Sequence, residues 1–155
     1  MAEYSQHSID QLEDVHPDLQ KVMWYVLTEY GFDHKIVEGL RTQKRQQELY
    51  AQGRTKPGPI VTHIDGVTRK SNHQAKDDGY GYAVDAYPYP IDLSAKRTAI
   101  ARFYYFAGLV KAAAKELKER GEITHNIRSG LDWDSDGVFS DQTFHDAPHF
   151  ELYES

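Results

Sequence analysis

Two stretches of this chain repeat apolar residues at helical spacing. Leu19, Val22, Met23, Val26, Leu27 and Tyr30 fall on one face, with His16-Pro17 before them and Gly31 after. Proline at the first helical position and glycine past the last turn predict a helix between them. Ile100, Phe103, Tyr104, Ala107, Val110 and Ala114 form a second stripe, on a longest helix of about 95–120 capped by Ser94 and ended by Gly121. Ser8-Ile9-Asp10-Gln11 reads as a capping box opening a short helix, and Thr42 caps another that runs to about Gln52. Strands are expected at Lys35–Gly39, at Tyr82–Tyr87 before Pro88, around Ile123, His125 and Ile127, and at Phe150 and Leu152. Alternation in the last of these puts His149 and Glu151 on the face opposite Phe150 and Leu152. Residues 54–81, rich in Gly, Pro, Asp, Lys and Asn, read as loop with one short strand. There is no internal repeat and no linker. The order predicts an α+β fold, a single domain over 1–155 with a small, mostly antiparallel sheet packed against helices.

Composition narrows the chemistry. A chain of 155 residues buries roughly 68–70% of its unfolded surface and needs no staple. It has no cysteine, so disulfides and thiolate metal sites are excluded, leaving His, Asp and Glu as metal ligands. The net charge of −6 argues against a general nucleic-acid binder. Charge is nonetheless segregated. Residues 41–76 hold eight Lys or Arg against two acids, and residues 130–155 hold seven acids and no Lys or Arg. The first five residues lack a basic start and an apolar run, so no signal peptide is expected. No apolar run approaches the ~20 residues that span a bilayer, so no membrane insertion is expected. Nothing requires more than a monomer.

Two short segments carry candidate chemistry. One is Ser71-Asn72-His73, followed by Gly81-Tyr82-Ala83-Val84-Asp85; the other is Asp146-Ala147-Pro148-His149-Phe150-Glu151. They offer two histidines and a carboxylate as candidate zinc ligands, plus a spare acid three residues before the last histidine. Three protein ligands with an open fourth position describe a catalytic zinc site, and a free carboxylate beside it describes a general base. Pro148 disfavours helix at Ala147, so His145 and His149 do not form a helical ligand pair. Asp132, Asp134 and Asp136, with Gly137 at the sixth position, copy the opening of a calcium loop, although its twelfth position is Thr143.

These segments resemble the zinc metallopeptidase family of D-alanyl-D-alanine carboxypeptidases and L-alanyl-D-glutamate endopeptidases, and most closely its small single-domain phage endolysins. Ser71, His73, Gly81, Ala83 and Asp85 match the first family motif, with five extra residues, roughly Ala75 to Gly79, between His73 and Gly81. Asp146, His149, Phe150 and Glu151 match the second. Gly39-Leu40-Arg41-Thr42 and Gly130-Leu131-Asp132-Trp133 match two further segments, so the likeness runs from about 12 to 152. It implies zinc on His73, Asp85 and His149, placed at the edge of the sheet. It implies Asp146 as general base, Arg41 as oxyanion stabiliser or substrate-orienting group, and Ser71 as a substrate contact. The implied activity is L-alanyl-D-glutamate cleavage in the peptidoglycan stem peptide, causing wall lysis. The implied setting is synthesis in a host cytoplasm and release by a holin-type partner. Two other activities fit the same residues: a D-alanyl-D-alanine carboxypeptidase or dipeptidase, and a non-catalytic wall-binding module with structural zinc.

Overall fold

The computed structural model describes residues 2–135 and 146–154. Four helices and four strands follow in the order α1 (Gln6–Glu13), α2 (Pro17–Thr28), β1 (His34–Glu38), α3 (Gln43–Ala51), β2 (Ala83–Pro88), α4 (Lys96–Glu119), β3 (Asn126–Gly130) and β4 (Asp146–Tyr153). The strands make one antiparallel sheet in the spatial order β1-β2-β4-β3. The class is α+β, as its sequence pattern predicts.

Helix ends follow the backbone's unpaired groups. α2 starts as expected: His16 Nδ1 accepts from the Asp18 amide at 3.0 Å and Pro17 opens the first turn. Gly31 takes the left-handed conformation (φ 64°) that ends this region. Thr42 caps α3 by accepting from the Arg45 amide. Two caps differ from expectation. α1 is capped by Ser5, whose hydroxyl accepts from the Ser8 amide, while Ser8 turns inward to bond the Ile36 amide at 3.0 Å. α4 has Ala95 at its cap with no side-chain bond, because the Ser94 hydroxyl donates to Asp92 instead. Within 54–81 only isolated bridges form, and no strand.

The core lies between helices and one face of the sheet. Leu19, Val22, Met23, Val26 and Leu27 of α2 share one core with Phe103, Phe106, Val110 and Leu117 of α4 and with Ile36, Val84, Ile127, Phe150 and Leu152 of the sheet; α4 packs on β2, β3 and β4, and α1 on β1. Burying each large apolar side chain contributes about 1.5–3 kcal/mol. Tyr30 and Ile100, read as parts of the stripes, are instead 36% and 41% exposed, and Tyr30 lies past the end of α2.

Period-two alternation then dictates the other face. Val84 and Phe150 point into the core, so Asp85 and His149, which pair across β2 and β4, point away from it. Glu151 pairs with Ala83 on one side and Arg128 on the other, on that same outer face. The loop between α3 and β2 lies over these polar residues and buries them: His73 is 1% exposed, His149 8% and Glu151 4%. β2 and β4 are the two central strands. The expected placement at the sheet edge is therefore corrected: the polar cluster lies across the middle of the sheet, because β4 inserts between β2 and β3.

Candidate metal centre and pocket

Each candidate ligand is oriented by a neighbour that occupies its other polar atom. His73 Nδ1 lies 2.8 Å from the Gly39 carbonyl and donates to it, which turns Nε2 inward. Arg41 donates through Nη2 to Asp85 Oδ2 at 3.2 Å, leaving Oδ1 toward the histidines. His149 Nε2 lies 2.6 Å from Glu151 Oε1 and donates to it, so Nδ1 faces inward. The inward atoms converge. Asp85 Oδ1 is 3.4 Å from His73 Nε2 and 3.5 Å from His149 Nδ1.

That triangle fits a small divalent ion. A tetrahedral centre with bonds of about 2.0–2.1 Å sets its donors about 3.3–3.4 Å apart. His73 Nε2 and Asp85 Oδ1 are buried and have no hydrogen-bond partner, which is costly unless a cation satisfies them. Electrostatics agree. Burial raises the Asp85 carboxyl, but the close approach and charge of His149 and His73 outweigh burial and hold it well below the usual range. Burial lowers His149, but Asp85 and Glu151 outweigh burial and raise it to about 9. The field that favours a proton there favours any cation. The third pair closes the set, with all three ligand atoms within 4.8 Å of one another.

A second group among the described residues, His16, Asp18 and His125, is also compact. Its polar atoms are already used. Asp18 Oδ2 accepts from the Thr124 amide at 3.0 Å, the His125 amide at 3.2 Å and His125 Nδ1 at 2.8 Å. His16 Nδ1 serves the cap of α2. This group ties the start of α2 to the segment before β3.

A pocket of about 390 Å³ opens over the first cluster, lined by Arg41, Ser71, His73, Trp133, Asp146 and His149 among others. Asp146 starts β4, with Oδ2 3.9 Å from His149 Nδ1. Burial raises its carboxyl above its ordinary value. Gly130 pairs with Asp146 so closely that a Cβ there would lie 2.1 Å from the Asp146 carbonyl oxygen. Ser71 directs its hydroxyl to the His73 amide at 3.1 Å, shaping the turn that presents this histidine. The Arg41 guanidinium bonds Glu38 and, at 3.1 Å, Gln46, as well as Asp85. Gly39 must lack a side chain, since a Cβ would lie 2.0 Å from the Gln11 carbonyl oxygen of α1.

Several contributors have no role in the sequence reading. Glu151 sits in the second motif, and its position two residues after His149 on one strand face is the signal that could have assigned it. Arg128 and Asn72 clamp Glu151 at 2.7 and 2.9 Å. Single polar residues without periodicity leave no such signal. The Trp133 ring lies 5.2 Å from that of His149. In the acidic loop, Asp132 is buried with its Oδ2 3.7 Å from Lys111, and Asp134 is exposed; Asp136 lies outside the described residues.

Comparison with known proteins identifies the family. The family model for phage L-alanyl-D-glutamate peptidases matches residues 1–153, and the chain belongs to that family. It is 31% identical to the peptidoglycan L-alanyl-D-glutamate endopeptidase CwlK of Bacillus subtilis, over 96% of this chain and 81% of the relative. It is 28% identical to the L-alanyl-D-glutamate peptidase of Escherichia phage T5, over 96% of both. The crystal structure of the Serratia marcescens L-Ala D-Glu endopeptidase ChiX shares the fold, with a TM-score of 0.61 at 24% identity, over 97% of this chain and 90% of that one.

Proposed function

We propose that this chain is a zinc-dependent L-alanyl-D-glutamate endopeptidase that opens the peptidoglycan stem peptide and so lyses the cell wall. The observation that carries the reading is the triangle of His73 Nε2, Asp85 Oδ1 and His149 Nδ1, two of whose atoms are buried without a partner. The donor set of two imidazoles and one carboxylate, open to a pocket, suits zinc. When bound, the ion supplies Lewis acidity at the scissile carbonyl and lowers the pKa of water at the site.

The chain's own residues do the rest. Asp146 takes the proton of the water that attacks the L-alanine carbonyl carbon, and returns it to the nitrogen of D-glutamate as the C–N bond breaks. The products are a carboxylate on alanine and a free amine on glutamate. Arg41 holds Asp85 and lines the pocket where the oxyanion develops. Ser71 and Gly39 hold His73, and Glu151 holds His149.

Digestion of purified peptidoglycan by the zinc-loaded protein, with the new termini identified, tests the reading. New N-terminal D-glutamate is expected; released D-alanine would show a carboxypeptidase instead, and wall binding without new termini a non-catalytic module. Asp146→Ala should keep zinc and fold while turnover falls by orders of magnitude, and full activity in that variant would remove Asp146 from the mechanism. Calcium at Asp132, Asp134 and Asp136 belongs to the same proposal; calcium calorimetry without heat and without a thermal shift would end it. Among the described residues no helix is long and apolar enough to cross a membrane, and release to the wall by a holin-type partner completes the proposed setting.

A further inference from the structure

The strand face that carries His149 and Glu151 continues to Tyr153. Four residues of strand advance about 13 Å, so Tyr153 marks a point about that far from the ion site. A second cleft opens there, of about 580 Å³, lined by Asn72, Lys76, Asp77, Tyr82, Arg128 and Glu154 among others. It adjoins the catalytic pocket at Asn72 and Arg128, which line both.

The outer wall of this cleft is the segment that the family motif lacks. Residues 75–79 fold into a tight turn: the Gly79 amide donates to the Lys76 carbonyl at 2.8 Å, and the Lys76 amide to the Tyr80 carbonyl at 3.0 Å. The turn is braced on Tyr82, whose hydroxyl donates to Asp78 Oδ2 at 2.6 Å and whose ring lies 4.5 Å from the Lys76 ammonium. Across the cleft the Arg128 guanidinium lies 5.1 Å from the Tyr153 ring. The hollow thus combines cations (Lys76, Arg128), anions (Asp77, Asp78, Glu154) and two aromatic walls.

We propose that this cleft binds the diamino acid that follows D-glutamate in the stem peptide, by the side-chain end that carries both an ammonium and a carboxylate. The proposal rests on the peptidase reading and names the part of the substrate that the inserted turn recognises. Its reach fits. From the scissile nitrogen, γ-linked glutamate and the diamino side chain run through about eleven bonds, and an extended chain advances roughly 1.2 Å per bond, or about 13 Å. A zwitterionic end matches a wall that holds both signs, where a purely cationic or anionic end would face like charge.

Calorimetry with γ-D-glutamyl-meso-diaminopimelate on the zinc-loaded protein tests this. The probe has no scissile bond, so its affinity is independent of turnover. Acetylating the side-chain amine, or amidating the side-chain carboxylate, should each weaken binding about two- to fivefold. The double variant Lys76→Gln/Asp77→Asn, changed at two exposed positions, should lose that discrimination. Equal affinity for all three peptides, or discrimination that persists in the variant, would overturn the proposal. New N-terminal glutamate from peptidoglycan would then still stand, and its absence would sink the peptidase reading separately.

Discussion

Glu151→Ala probes the site more sharply than removal of a ligand. The carboxylate is buried and accepts from His149 Nε2 at 2.6 Å, Arg128 Nε at 2.9 Å and Nη2 at 2.7 Å, and Asn72 Nδ2 at 2.9 Å. Burial alone would raise its pKa, but the His149, Arg128 and Asn72 contacts outweigh burial and hold it at about 2. Truncation leaves those donors without their acceptor. Breaking a buried ion pair from one side costs about 3–5 kcal/mol. Arg128 is 33% exposed and regains water, so we expect about 2–4 kcal/mol in urea denaturation of the metal-free protein. Loss of the carboxylate that fixes His149 should also weaken zinc about 10–100-fold, read by competition with a chromophoric chelator. A double-mutant cycle with Arg128→Ala separates the ion pair from the histidine contact. A loss under about 1 kcal/mol together with unchanged zinc affinity would refute the idea that Glu151 orients His149.

Three further outcomes are expected. His34 is buried 2.6 Å from the Tyr4 hydroxyl, and burial lowers it to about 4 despite its bond to the Phe32 carbonyl. Its neutral form is the native one, so its contribution is complete above pH 6.5 and falls by up to about 3 kcal/mol as pH drops toward 4. His34→Gln should flatten that slope in urea titrations, and an unchanged slope would contradict it. Gly39→Ala should lower the midpoint of thermal unfolding by about 1–3 kcal/mol equivalent or more, because its methyl would meet the Gln11 carbonyl; a wild-type midpoint would show that α1 shifts freely. Zinc should bind at one equivalent per chain, and His125→Ala should leave that ratio unchanged; two equivalents in metal analysis would show that the Asp18 group also takes an ion.

How far the residues foretell this arrangement depends on the kind of information each element holds. α2 and α4 are legible because long apolar stripes leave one solution, and His16-Pro17 and Thr42 mark the starts of α2 and α3. Ser5 and Ala95 are missed as caps because Ser8 and Ser94 compete with them locally; a long-range bond to Ile36 and a turn bond to Asp92 take those two hydroxyls. His73, Asp85, His149 and Asp146 stand out through spacing. Their convergence depends on which strands pair, and nothing local says that β4 inserts between β2 and β3. The clamp of Arg128 and Asn72 on Glu151 is a consequence of that pairing and has no trace before it.

The strand latest in chain order, β4, is also one of the two in the middle of the sheet. Until it docks, β2 and β3 have no common neighbour, and neither His149 nor Asp146 is near His73 and Asp85. A nascent chain that lacks β4 therefore carries two of the three candidate ligands and not yet the acid proposed as proton acceptor. Hydrolytic capacity arrives in a single late event, when one eight-residue ribbon slots home. On the function proposed above, the order in which the strands are made withholds a complete site until this one has docked.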